Sequence, residues 1–328
     1  MLDLAIIGSG PAALSSALYV ARAGFSVQIF ERGKIGGALN EIAKIENFPG
    51  FMGEGQALAR QLRSQALTAG TKLTYGNCKG IFYHQSNLAT FLKTFPKTTS
   101  ITWQSNHFRI YNPKTKKEIH ISCPASTFAL NIDNEIITTR AVLIATGSEP
   151  RPLPFKIQPP VAYCALCDAP LFKGKDIAVV GGGNSAVQES LHLANIVKSL
   201  TIFVRETLSA EPYLITKLRT LKNVTIYEHT PPTPDLLQSF AGVFVFIGHR
   251  PATTFLDKTL LDPTGYLKTV DYMTKIPGLF SAGDVRQGSI KQAITASADG
   301  VVASLKIIDF LKNHSLPKIG RASCRERV

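Results

Sequence analysis

The chain has 328 residues, 45% apolar and 18% charged, enough to bury the cores of two globular domains and unlike a disordered polymer. Its formal net charge of +13 comes without a nucleic-acid motif and from scattered basic residues, so nucleic acid is not an expected partner. No apolar run approaches the roughly 20 residues that span a bilayer, and no basic leader precedes the first strand-like segment, so no membrane association and a cytoplasmic location are expected.

Leu4 to Ile7 is an apolar run ending at Gly8, the pattern of a buried parallel strand. A helix is expected from Pro11 to about Arg22, stopping at Gly24, and a strand from Phe25 to Phe30 ends at Glu31. Together these make a dinucleotide-binding signature. Gly8 permits the tight turn, Gly10 a close approach of backbone to phosphate, and the small Ala13 close helix packing. The helix N-terminus suits a pyrophosphate, and Glu31 suits ribose hydroxyls. If the glycines merely turned a strand into a helix, Glu31 would be unexplained.

Gly36-Gly37-Ala38-Leu39 and Ile45-Glu46-Asn47-Phe48-Pro49-Gly50 follow, and then a polar stretch, 86–126, rich in Thr and Lys. Strand-like runs such as Phe108-Arg109-Ile110-Tyr111 mark that stretch as a β-rich excursion. The apolar run Ala141 to Ile144 leads into Ala145-Thr146-Gly147, and a proline-rich connection covers 150–154.

Cys164-Ala165-Leu166-Cys167-Asp168 comes next, about 14 residues before a second glycine turn, Gly181-Gly182-Gly183-Asn184-Ser185-Ala186. Five cysteines are too few and too uneven for a secreted disulfide framework, and a single close pair without paired histidines does not supply four zinc ligands, so no metal is expected. A close pair at a helix start would have the lowered thiol pKa that redox chemistry needs. Two dinucleotide turns flanking a dithiol and an acid read as an electron relay; two inert buried cysteines are the plainer alternative.

Ile177 to Val180 is the strand before the second turn, with Gly181, Gly183 and Ala186 in the GxGxxA positions. A helix to about Val197 and a strand from Leu200 to Phe203 lead to Val204-Arg205-Glu206. Arg205 offers a guanidinium to the 2′-phosphate of NADPH, while Glu206 opposes it, leaving NADPH favoured and NADH open. Only Glu228 to Gly242 separates the strand Val224 to Tyr227 from Val243 to Gly248, so a β-hairpin there is expected to be missing or reduced. Gly278 to Asp284 and a helix starting near Ile290 complete the pattern, with Asp284 either capping that helix or binding a ligand. Residues 318–328 (KIGRASCRERV) look like read-through of a sequencing adapter and are expected to be non-native, Cys324 included.

The stretches at 36–50, 145–147, 164–168, 243–248 and 278–284 resemble those of the low-molecular-weight thioredoxin reductases, over most of the chain. The resemblance implies an α/β fold of two Rossmann-like domains, the nucleotide domain inserted into the flavin domain. The FAD domain would be 1–152 and 249–317, with the excursion 86–126, and the NAD(P)H domain 153–248 would carry the CxxC. FAD would lie on Gly8, Gly10, Pro11, Ala12, Ala13, Glu31, Gly36, Gly37, Ala38, Leu39, Asn47, Gly283, Asp284, Lys291, Gln292 and Ala293; the family's usual Gln stands as Ala38 here. Asp284 would meet the ribityl chain, and the helix N-terminus beyond it would stabilise a reduced, anionic flavin. NADPH would lie on Gly181, Gly183, Asn184, Ser185, Ala186 and Arg205; the family's His-Arg-Arg run is reduced here to its middle member.

By the same resemblance, electrons pass from NADPH to FAD and on to a Cys164–Cys167 disulfide, with Asp168 as the proton-shuttling acid. Cys164 would then attack the disulfide of thioredoxin or a related small dithiol protein. The family's nucleotide domain rotates between two arrangements, which the connections at 150–154 and 248–251 suit, and a homodimer is implied. A peroxiredoxin or glutaredoxin-like partner, an oxygen-using dithiol oxidase and a flavin redox sensor without turnover are the alternatives.

Overall fold

The computed structural model describes residues 1–42, 44–83, 87–96, 100–104, 106–112, 117–123 and 127–314; the expected foreign tail, 318–328, lies outside them. The first glycine turn joins β1 (Leu2–Ile7) to α1 (Pro11–Arg22), and β2 (Val27–Glu31) returns parallel to β1 with Ile7 opposite Phe30. Pro11 suits the first helical position because its missing N–H would have found no intrahelical acceptor. Gly24, at φ +89°, closes the helix just past its last turn.

A 3-10 turn over Gly37–Glu41 precedes the hairpin of β3 (Ile45–Phe48) and β4 (Phe51–Gly53). Next come α2 (Gly55–Thr68), β5 (Lys72–Tyr75), β6 (Cys78–Phe82) and the short α3 (Leu88–Leu92). The excursion holds a separate antiparallel meander of β7 (Ser100–Gln104), β8 (His107–Asn112) and β9 (Lys117–Ser122). Its inner face is not polar. Phe108 and Trp103 pack on Phe82 and Phe91, with the Phe82 and Phe108 rings edge-on at 5.2 Å.

The chain returns through β10 (Phe128–Ile132) and the long β11 (Glu135–Ile144) to the middle of the first sheet, whose order is β5-β2-β1-β11-β10-β6. Leu4, Ala5 and Ile6 are wholly buried, as befits a parallel strand covered on both faces.

The second sheet begins after β12 (Ser148–Pro150) with β13 (Val161–Ala162), α4 (Ala165–Asp168) and a 3-10 turn over Ala169–Phe172. Then follow β14 (Asp176–Val180), α5 (Asn184–Leu193), β15 (Ser199–Phe203), α6 (Pro212–Arg219), β16 (Val224–Tyr227), α7 (Pro234–Leu237) and β17 (Gly242–Val245). All its strands are parallel, in the order β13-β17-β14-β15-β16. A single short helix, α7, stands between β16 and β17, with no β-hairpin among these described residues.

The chain leaves by β18 (His249–Pro251), which pairs antiparallel with β12, so the two crossings between sheets form one ribbon. β19 (Leu279–Ser281) then joins the last residues of β11, and α8 (Ala293–Asn313) packs on α1. α5 stops four residues earlier than its apolar pattern indicates, and α8 starts three residues later. The second difference has a local cause: Lys291 sits at φ +61°, outside helical space, so Gln292 is the N-cap. Among the described residues no helix is long and apolar enough to cross a membrane.

Candidate active site: two glycine turns and a cysteine turn

Both sheets reverse strand order at a glycine turn, the place where open α/β sheets bind ligands. At the first, Gly8 has φ +99°, and a Cβ there would overlap the Ala145 carbonyl oxygen. The turn thereby lies directly against Ala145-Thr146-Gly147. A Cβ on Gly10 would meet nothing within 4 Å, so backbone at the start of α1 is open to a ligand. Gly36 N–H donates to the Ser9 carbonyl oxygen (3.1 Å), which brings the Gly36-Gly37 turn beside Gly10.

Glu31 is 9% exposed at the end of β2 and accepts from Ser9 Oγ (2.6 Å) and Gly33 N–H (2.7 Å). It forms the wall of a cavity with Gly8, Arg32, Asn77, Thr146 and Thr254. Sequence reading did not single out Asn77 or Thr254, which no local spacing links to the glycines.

The far end of this cradle comes from the other end of the chain. Asn47 Nδ2 donates to Gln292 Oε1 (3.1 Å) across 245 residues of sequence. Asp284 does not cap α8. Burial pushes its carboxyl up to about 6, Lys291 pulls it down and Asp299 adds to the rise. Its Oδ1 is buried without a hydrogen-bond partner. A buried oxygen of this kind is costly unless a donor arrives, and a ligand hydroxyl would be one.

Asp299, which sequence reading missed, fixes this loop. It accepts from Gly283 N–H (3.2 Å), Tyr272 hydroxyl (3.0 Å) and, doubly, Arg286, whose Nη2 lies 3.0 Å from Oδ2. The Arg286 guanidinium also stacks 4.7 Å over Tyr272. Lys291 Nζ donates to the Tyr266 hydroxyl (2.6 Å), and His249 is held below its ordinary value by burial and by Lys291. The residues present therefore fit a flavin: an open helix start, a buried acid at a strand end, and an orphaned carboxyl oxygen.

The second turn repeats the first. Gly181 has φ +137°, a Cβ on it would overlap the Phe246 carbonyl oxygen, and Gly183 is open. Asn184, at the start of α5, accepts from Glu211 N–H (2.7 Å) and donates to Glu211 Oε1 (3.1 Å), tying the turn to α6. Arg205 and Glu206 are exposed and pair with each other at 3.3 Å.

Cys164 is 8% exposed, directly precedes α4, and is disulfide-bonded. Asp168 N–H donates to the Cys164 carbonyl oxygen (3.1 Å), closing the turn, and the Asp168 side chain is half-buried. The side chain of Cys167 lies outside the described residues. α4 packs both on α5 and on the Gly37–Glu41 turn, so the cysteine turn meets the first cradle. Cys78 and Cys123 are free and buried, and burial pushes the Cys78 thiol up to about 12.

The family model for pyridine nucleotide-disulphide oxidoreductases matches residues 2–300. A thioredoxin reductase of Borreliella burgdorferi is 31% identical over 340 residues, spanning 94% of this chain and 92% of the relative. A 34.2 kDa protein in the rubredoxin operon of Clostridium pasteurianum is 32% identical over 332 residues, spanning 93% and 95%. Among solved structures, Lactococcus lactis thioredoxin reductase in its FR conformation is similar with a TM-score of 0.77 at 27% identity, covering 95% of this chain and 100% of that one.

Proposed function

The chain belongs to the pyridine nucleotide-disulphide oxidoreductase family, in its low-molecular-weight, thioredoxin-reductase-like branch, and from that premise we propose that it reduces the disulfide of thioredoxin, or of a related small dithiol protein, with FAD and NADPH. The observation that carries this reading is the disulfide-bonded Cys164 turn, seated between one glycine turn on its own sheet and the Gly37–Glu41 turn of the other.

A bound FAD supplies two-electron chemistry between a nicotinamide and a disulfide. The start of α1 would take its pyrophosphate, Glu31 its ribose hydroxyls, and Asp284 Oδ1 a ribityl hydroxyl, with Lys291, Gln292 and Ala293 along the ring. The second turn would hold NADPH through Gly181, Gly183, Asn184, Ser185 and Ala186, with Arg205 toward the 2′-phosphate.

In the reduced Cys164–Cys167 pair, the Cys164 thiolate forms a bond to one sulfur of the partner disulfide. The other partner sulfur leaves as a thiolate and takes a proton. Cys167 then attacks Cys164 in the mixed disulfide, releasing the partner's second thiol and restoring the intramolecular disulfide. Asp168, adjoining the pair and half-buried, holds and returns the proton at the leaving sulfur.

In this reading 1–152 and 249–317 form the flavin unit and 153–248 the nucleotide and dithiol unit. The β12–β18 ribbon at their two crossings would be the hinge for a change of arrangement. A cytoplasmic homodimer belongs to the same reading; the free thiols of Cys78 and Cys123 agree with a reducing compartment.

Anaerobic titration of the flavin-loaded protein tests the donor side. NADPH is expected to bleach the flavin, and C164S is expected to bleach as well but to lose disulfide turnover. Full turnover in C164S would remove the cysteine relay. No bleaching with NADPH or NADH would turn the reading toward an oxidase or a sensor.

A further inference from the structure

Seven non-glycine residues among those described have left-handed backbone, and five of them are Asn, Asp or His, which tolerate it. The other two are Tyr272, at φ +66°, and Lys291, at φ +61°. Neither has a short polar side chain to ease that conformation. Both lie at the flavin cradle, where Tyr272 joins Asp299 in fixing the Gly283 loop. Lys291 has no such part in the loop. A glycine would take this backbone freely, so what a lysine adds at this position is its ammonium.

That ammonium is held. Lys291 Nζ donates to the Tyr266 hydroxyl (2.6 Å) and lies 4.8 Å from the centre of the Tyr266 ring. Holding an exposed lysine in one place costs side-chain freedom, and the left-handed backbone adds to that cost. Tyr266 can act as the anchor because its own backbone is fixed. Its N–H donates to Asp262 Oδ1 (2.9 Å), and its carbonyl oxygen accepts from Asp262 N–H (2.8 Å). The next residue, Leu267, is wholly buried and pairs with the Asp284 loop on both sides. Its N–H donates to the Val285 carbonyl oxygen (3.0 Å), and its own carbonyl oxygen accepts from Gln287 N–H (2.9 Å). Gln292, which follows Lys291, meets Asn47. The clasp therefore ties the loop of the orphaned Asp284 oxygen to the start of α8. Burial acts most strongly on Asp284, raising its carboxyl, and Lys291 is the cation that opposes the rise.

We propose that Tyr266 is a positioning residue for the flavin: it holds the Lys291 ammonium at the start of α8, where that charge favours the reduced, anionic flavin over the oxidised one. Without the hydroxyl, Lys291 is free to leave the left-handed region and its ammonium turns to solvent, where its field is weak. The helix N-terminus stays, but the fixed unit charge beside it is lost. This rests on the reading of Lys291, Gln292 and Ala293 as lying along the flavin ring.

The test equilibrates the flavin-loaded protein anaerobically with a reference redox dye and reads the ratio of reduced to oxidised flavin by absorbance. K291G removes the charge, and its ratio is expected to fall about tenfold at a fixed dye ratio, the effect of one unit charge near a protein surface. Because glycine also relieves the backbone, the K291G apoprotein is expected to melt no lower than wild type. Y266F keeps the ring and loses the hydroxyl, and the expected fall is about threefold, the equivalent of one net hydrogen bond. Y266F added to K291G is expected to change nothing further, since Tyr266 acts through Lys291.

A K291G ratio equal to wild type, or a Y266F loss that persists in the K291G background, overturns the proposal and leaves flavin binding intact. A K291G apoprotein that melts lower with an unmoved ratio overturns it too, and makes the clasp structural only. Should K291G fail to retain flavin, Y266F against wild type decides, and equal ratios overturn the proposal. A wild-type chain that takes up no flavin would instead sink the reading beneath it.

Discussion

The two glycine turns share a backbone and differ in what stands at the end of the next strand. In each, the first glycine lies at positive φ because a carbonyl oxygen from a neighbouring segment, Ala145 or Phe246, occupies the space a Cβ would need. Each then reaches an open glycine, Gly10 or Gly183, that is extended at the start of its helix. At the strand ends the likeness stops. Glu31 is buried with both oxygens engaged, whereas Arg205 and Glu206 lie in solvent and hold only each other. Packing dictates the path of both turns. Ligand discrimination sits at the strand ends, fixed in advance on one side and left to weak, exposed charges on the other.

Breaking the shared part should have the largest effect. G8A forces an L side chain into a strained conformation and onto the Ala145 oxygen, a combination worth several kcal/mol, roughly 3 or more. The expected product is a protein that melts many degrees lower or purifies without flavin, read by thermal unfolding and visible absorbance. G181A carries the same clash on the second sheet and should keep its flavin yet lose bleaching by NADPH. Equal flavin loss in both would show that the two turns are not independent.

Removing only the strand-end acid is milder. E31A leaves Ser9 Oγ and Gly33 N–H without their acceptor as well as removing a ribose partner, so flavin affinity should fall about 10- to 100-fold by titration of the apoprotein. Asp284 works in the opposite direction on stability. Its folded value is raised, to about 6, so the native apoprotein binds more protons than the unfolded chain below that value, and stability falls as pH climbs from 3.8 to about 6. D284N should flatten that part of the pH dependence. It should stabilise the apoprotein at neutral pH by roughly 1 to 2 kcal/mol, allowing for partial exposure, while weakening flavin retention.

What was legible in the sequence is what has a local signature. Gly8, Gly10 and Ala13 announce a turn because only small residues fit the approach, and the Cys164 turn is announced by its spacing to Asp168. Asp284 could be picked out by its motif, but not its orphaned oxygen, which depends on a loop whose Gly283 N–H is held by Asp299, sixteen residues beyond that glycine. Asn47 and Gln292 meet across 245 positions, so no periodicity could pair them. The late start of α8 was hidden for a different reason: Lys291 at positive φ is imposed by its surroundings, including Tyr266, against its own preference. The aromatic core of the excursion was masked by its polar outer positions.

The smallest expected effects lie at Arg205 and Glu206, and they decide whether the second turn reads its nucleotide at all. An exposed ion pair at 3.3 Å is worth about 1 kcal/mol or less, so a 2′-phosphate can displace Glu206 from Arg205 at little expense. R205A should therefore lower kcat/KM for NADPH by about five- to tenfold and leave NADH within about twofold, the contribution of one charged hydrogen bond. E206Q should raise the preference for NADPH by only about threefold, and the gain should shrink as salt rises, because both groups face solvent. Equal losses for both nucleotides in R205A would mean that Arg205 touches neither 2′ group. The second turn would then bind through its backbone alone, the limit in which the exposed strand end contributes nothing and the contrast with Glu31 is complete.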